Sequence, residues 1–183
     1  MHSRVFSLVL AVLTFGLFAA ASPLSGDLQA REMEKRASAV VGIVNKLSSD
    51  VNGALNGFDA TADAGPNIDA ITKAFFAAAN SLTFVGPVAL SSAEQNAVAK
   101  TVAGVINTSA GHIGKCPKSI GVITATVLLD VQIRLFLNIF GIVSVGVLGL
   151  VANLVVNLQL LLSIHLTIVA NIFINILGIV IVL

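Results

Sequence analysis

Apolar residues recur at steps of three and four early in the chain: Val40, Val44, Leu47, Val51, Leu55 and Phe58. That spacing puts them on one face of a helix running from about Ala37 to Phe58, with Ser, Asn, Asp and Lys opposite. Gly53 and Gly57 weaken its far end, and Asp59 to Pro66 is a polar linker with Gly and Pro. The same period returns from Asn67 through Ile68, Ile71, Phe75, Ala79 and Leu82, and Gly86-Pro87 stops this second helix. Ser91 and Glu94 form a Ser-x-x-Glu capping box, in which each side chain can satisfy the other residue's backbone N–H. It opens a third helix to about Ile113, with Val98, Val102, Val105, Ile106 and Ile113 available to pack. Gly111, Gly114 and Pro117 then mark a break. Amphipathic helices joined by short connections predict an all-α antiparallel bundle over residues 37–134.

From Ile120 the pattern fits two periods. Polar residues fall first on even positions (Asp130, Gln132, Arg134, Asn138, Ser144) and later on odd ones (Asn153, Asn157, Gln159, Ser163, His165, Thr167, Asn171, Asn175). Alternation and abundant Val and Ile suit strands. Yet no Pro follows Pro117 and no Gly lies between Gly149 and Gly178, so strands of ordinary length, about 5–6 residues, would lack turn signals. At 100° per residue Asn153, Asn157, Gln159, Ser163, Thr167, Asn171 and Asn175 fall within roughly 160° of arc, leaving His165 outside it. Helix is therefore the preferred reading, with Gly141, Gly146 and Gly149 as its weak points.

Charge changes the picture of this tail. Residues 135–183 contain no Asp, Glu, Lys or Arg, and Leu, Ile and Val dominate them. Their apolar face supplies the candidate binding segment: Leu135, Phe136, Phe140, Leu148, Leu154, Leu160, Leu162, Ile168, Ile172 and Ile176. A membrane span needs about 20 apolar residues, so the stretches 135–156 and 158–183 both qualify by length. One unbroken helix over 135–183 would be roughly 74 Å long, far beyond a bilayer core. No polar loop separates the two stretches, and no Lys or Arg follows Arg134 to orient them. A glycolipid-anchor signal fits poorly, because its polar spacer is missing.

The other end carries processing signals. Arg4, the apolar run Val5 to Ala20 and the small residues Ala19-Ala20-Ala21 read as a secretory signal over residues 1–21; as an uncleaved anchor the run would be short. Residues 22–36 then form a short pro-segment ending in Lys35-Arg36, which resembles the dibasic site of kexin-type protease substrates. Two charges at a helix start are the plainer alternative.

Beyond residue 36 the cations Lys46, Lys73, Lys100, Lys115, Lys118 and Arg134 balance Asp50, Asp59, Asp63, Asp69, Glu94 and Asp130. Without a basic patch, and with no Trp or Tyr to stack on bases, nucleic acid is not an expected partner. A single cysteine, Cys116, excludes an internal disulfide. His112 and Cys116 are four apart, the spacing of a Cys–His dyad or of two metal ligands, but Gly114 and Pro117 disturb that helix and further ligands are missing. A loop histidine beside a packed thiol is the preferred reading. Asp130 and Arg134, also four apart, suit an ion pair. No catalytic residue, metal site or cofactor is expected. Asn107-Thr108-Ser109 is a glycosylation sequon, making Asn107 a candidate acceptor.

In order and texture the chain resembles the fungal hydrophobic surface-binding protein A family, related to cell-wall galactomannoproteins. The similarity runs through Lys35-Arg36, a first helix closing on Leu55-Asn56-Gly57-Phe58-Asp59, a second with Ile68, Ile71 and Leu82, and Leu90-Ser91-Ser92-Ala93-Glu94 opening a third. After Lys115-Cys116-Pro117-Lys118, the run from Ile123 to Asp130 is similar to the start of that family's last helices. The resemblance covers about residues 37–134 and implies a secreted, non-enzymatic, cell-wall-associated protein that adsorbs to hydrophobic surfaces and recruits secreted esterases. The uncharged tail departs from the family. Two readings therefore stand: adsorption to a hydrophobic surface, cell wall or lipid, or display outside the cell by one or two C-terminal transmembrane helices.

Overall fold

The computed structural model describes residues 23–59 and 63–178; the expected secretory signal, the middle of the linker after Asp59 and the last residues of the tail lie outside them. The chain divides into two compact units, Met1–Lys35 and Arg36–Leu183. Helix α1 comprises Pro23–Leu55. The helix therefore starts well before Ala37 and takes in the expected pro-segment. Pro23 is tolerated in a first turn, and Leu28, Gln29, Ala30, Arg31, Glu32, Met33, Glu34 and Lys35 are all good helix formers.

The second unit is an all-α bundle. Helices α2 (Gly65–Thr83), α3 (Ser92–Ile113) and α4 (Ile120–Val143) follow α1, and three short helices finish it: α5 (Val147–Leu154), α6 (Leu158–Ser163) and α7 (Thr167–Leu177). Val40, Val44, Leu47 and Val51 of α1 join Ile68, Ile71, Phe75 and Leu82 of α2 in one buried core. The two helices run antiparallel. Asn67 Nδ2 donates to the Ala54 carbonyl at one end (2.8 Å), while Ile43 approaches Ser81 near the other.

Helix α4 packs chiefly on α2, and these two are parallel. Phe136 meets Phe75 edge-on with ring centroids 5.6 Å apart, and Val88, just past α2, donates its N–H to Val143 O at 2.8 Å. Phe136 also stacks on Phe140 at 5.4 Å. Helices α3 and α4 are started by side chains. Ser91 Oγ accepts from Glu94 N while Glu94 Oε2 accepts from Ser91 N, and Ser119 Oγ accepts from Val122 N.

The tail corrects the expectation of one long segment beginning at residue 135. That boundary falls inside α4, because Leu129, Ile133, Phe136, Leu137 and Phe140 are continuous parts of the same buried face. Beyond Val143 the chain turns back three times and packs on α3 and α4. Of the expected weak points, only Gly146 breaks a helix: its φ of +86° lies in the left-handed region that glycine adopts without strain. Gly141 stays inside α4, where its missing side chain leaves room for Leu148 of α5. The other two breaks contain no glycine. Asn157 caps α6 by accepting from Leu160 N at 2.8 Å, and His165 makes the turn into α7 with φ +68°.

Candidate adsorption surface

The expected catalytic alternatives lose their geometry. His112 Nδ1 lies 2.9 Å from the Thr108 carbonyl, which only accepts, so Nδ1 carries the proton. The ring packs edge-on against Phe58, with centroids 5.4 Å apart. Cys116 Sγ reaches the His112 carbonyl at 3.7 Å, not its ring. Burial pushes the Cys116 thiol above its ordinary pKa, so little thiolate forms near neutrality. Among the described residues no group of three His, Cys, Asp or Glu side chains could hold a metal ion. The cleft beside Cys116 and His165 has a volume of about 30 Å³, and one between α1 and α2 about 40 Å³. Each has room for a few waters, at about 10–15 Å³ apiece, and not for an organic substrate.

Asp130 does not pair with Arg134. Its side chain is 2% exposed, and its two oxygens accept from Ile168 N (2.8 Å) and Val169 N (3.0 Å) at the start of α7. A carboxylate on these N–H groups satisfies donors that the helix itself leaves open and meets the positive end of its dipole. The ion-pair expectation overlooked this because the competing donors lie on another helix. Arg134 is exposed on α4 and has no ion-pair partner among the described residues.

Asn107 is also engaged. Its Nδ2 donates to Leu154 O (3.0 Å) and its Oδ1 accepts from Val156 N (3.3 Å), tying α3 to the end of α5. Ser109, the third residue of the sequon, is fully buried. A glycan on Asn107 Nδ2 has to be attached before the chain folds and would displace this clamp. Lys35 and Arg36 lie within the helical turns of α1, so a protease that binds extended backbone must first unwind them.

The expected apolar segment separates into two groups. Phe136 and Phe140 are fully buried against α2 and are removed from any binding surface. Leu148, Leu160, Ile168 and Ile172 are half-buried, whereas Leu135, Leu154, Leu162 and Ile176 reach solvent. Further exposed apolar residues lie before residue 135. On α4, Ile120 (85% exposed), Val127, Leu128 (58%), Val131, Leu135 and Ile142 (65%) share one side. At 100° per residue they span roughly 100° of arc. The helix has 24 residues and is about 36 Å long, apolar on both its core face and its outer face. Arg134 and Asn138, four apart and both exposed, are the sequence signal that marks this outer arc. The signal is masked by Asp130 and Gln132, polar residues directed elsewhere.

Against known family models, curated proteins and solved structures, the chain finds no match.

Proposed function

We propose that this chain is a secreted, non-catalytic protein that adsorbs to hydrophobic surfaces, or to the cell wall, through the outer face of α4. The observation that carries the reading is the stripe from Ile120 to Ile142, open to water on a helix whose opposite side is fixed in the core. Covering such side chains is favourable by on the order of 1 kcal/mol each, in proportion to apolar area and without directional demands. Several must be covered together to offset the cost of immobilisation. The resemblance to surface-binding proteins points the same way and adds recruitment of a secreted hydrolase as a possible consequence of adsorption.

Display by a transmembrane helix is the second reading, and it draws on α4, which is long and apolar enough to cross a bilayer. A second span from the tail is not supported: α6 and α7 have 6 and 11 residues and are separated by the turn at His165. An anchor built on α4 would have to withdraw Asp130 and Phe136 from the bundle.

Fractionation of a secreting culture separates the readings. The adsorption reading expects the protein in cell-free medium without detergent, and depletion from solution by polystyrene beads. Replacing Leu128 and Val131 with Ser should abolish depletion while leaving the helical circular dichroism unchanged. Recovery only in membranes that keep the protein through high-salt and carbonate washes would overturn it.

A further inference from the structure

The apolar stripe of α4 lies in a part of the chain with one-sided charge. After Glu94 the only acidic side chain is Asp130, and it is buried on the N–H groups of α7. The cations that follow Glu94, namely Lys100, Lys115, Lys118 and Arg134, are all exposed, and none forms an ion pair with a described residue. The exposed acids lie earlier, and Asp50 and Asp69 are already neutralised by Lys46 (2.8 Å) and Lys73 (2.6 Å) on their own helices.

Arg134 borders the stripe, and two more of these cations precede it in the chain. Lys115 and Lys118 sit in the loop leading into α4, next to the nearly bare Ile120, and Arg134 lies at the edge of the arc between Val131 and Leu135. Long basic side chains can lay their stems along an apolar surface and keep their charge at its boundary. An apolar helical face whose nearby charges are cationic matches the interface of a bilayer: acyl chains below, anionic phosphates at the rim.

We infer that the outer face of α4 is a lipid-interface site selective for anionic headgroups, with Lys115, Lys118 and Arg134 engaging the phosphates while the stripe from Ile120 to Ile142 enters the acyl boundary. The inference rests on the adsorption reading and assigns that same face its partner. An apolar solid surface or a second copy of the chain would use the stripe but has no need of unpaired cations around it.

The test uses the protein as purified from a secretory host, floated with vesicles of phosphatidylcholine alone or with one third phosphatidylglycerol. At low salt, binding to the anionic vesicles should exceed binding to neutral ones by tenfold or more and should fall as salt is raised. Each single change, Lys115→Gln, Lys118→Gln or Arg134→Gln, should lower anionic binding by roughly fivefold, with little effect on polystyrene adsorption. Polystyrene adsorption with equal binding to both vesicles, or with none, would overturn the lipid assignment and leave the adsorption reading in place. Failure on polystyrene and on both vesicles would overturn the two together. A dimer in solution, dissociated by the Leu128→Ser and Val131→Ser changes and indifferent to anionic lipid, would give the face to a second copy and overturn the inference.

Discussion

Helix α3 is started by Ser91 and Glu94, residues three apart that bond each other's backbone; helix α7 is started by Asp130, a residue of α4 38 positions away. The contrast extends to whole regions. Helices α1, α2 and α3 have 33, 19 and 22 residues, carry charged outer faces and have one clear apolar stripe each. Helices α5, α6 and α7 have 8, 6 and 11 residues and no charge, and two of them have ends that depend on neighbours: Asn107 of α3 holds the end of α5, and Asp130 of α4 holds α7. Isolated helices of that length are marginal in water. The first region is specified locally, and the second is specified by what it packs on.

The largest effect is expected where the regions meet. Phe136→Ala removes a fully buried ring from the α2–α4 contact and should cost about 3–5 kcal/mol. Val131→Ala, on the outer face of the same helix, should stay within about 0.5 kcal/mol. Urea titration of both variants measures the gap, and equal losses would mean that α4 has no privileged face. Next, Asp130→Ala leaves two backbone donors of α7 unsatisfied and should cost about 2–3 kcal/mol, with Asp130→Asn costing less because one acceptor remains. Hydrogen exchange should accelerate at Ile168 and Val169 while α3 is unaffected. Exchange that stays slow at those amides would show α7 to be held by packing alone, and the contrast with α3 would collapse.

Ser91→Ala should cost about 1 kcal/mol and fray only the first turn of α3. The same box has a pH signature. Hydrogen bonds from the Ser91 side chain, and then its backbone, hold the Glu94 carboxyl below its ordinary pKa. A lowered carboxylate pKa contributes stability above the ordinary value, and that contribution is lost as pH falls through the lowered one. Acid titration of α3 amide shifts should show it in the wild type and a smaller effect in Ser91→Ala, which keeps the backbone bond. The smallest effect is a gain. His165→Gly relieves the left-handed backbone at the α6–α7 turn and should stabilise by about 0.5–1 kcal/mol, read as a higher midpoint of thermal unfolding.

This division also explains what could be read in advance. The stripes of α1, α2 and α3 are visible as Val40/Val44/Leu47, Ile68/Ile71/Phe75 and Val98/Val102/Val105, and all of these are buried. The end of α3 at Ile113 and its capping box follow from local chemistry. In the tail, Asn153, Asn157, Gln159, Ser163, Thr167, Asn171 and Asn175 do face solvent, as a helical stripe demands. Their phase is reset at Val155–Asn157 and at Ile164–Leu166, turns set by Asn157, His165 and long-range bonds that no local signal announces. The choice between the two sides of α4 was hidden for a related reason. A helix apolar all round has no amphipathic contrast, so Phe136 and Leu135 look equally available until α2 is placed against one of them.

The bond from Asp130 to α7 also has a consequence in time. Its donors are synthesised 38 residues after its acceptor, an interval of about 2–8 s at ordinary elongation rates of roughly 5–20 residues per second. A helix such as α4 forms on the microsecond scale. While α5–α7 are being made, then, α4 exists without their cover and Asp130 has only water as a donor. That nascent state is where a chaperone would bind most strongly, and where crowded synthesis would lead first to aggregation.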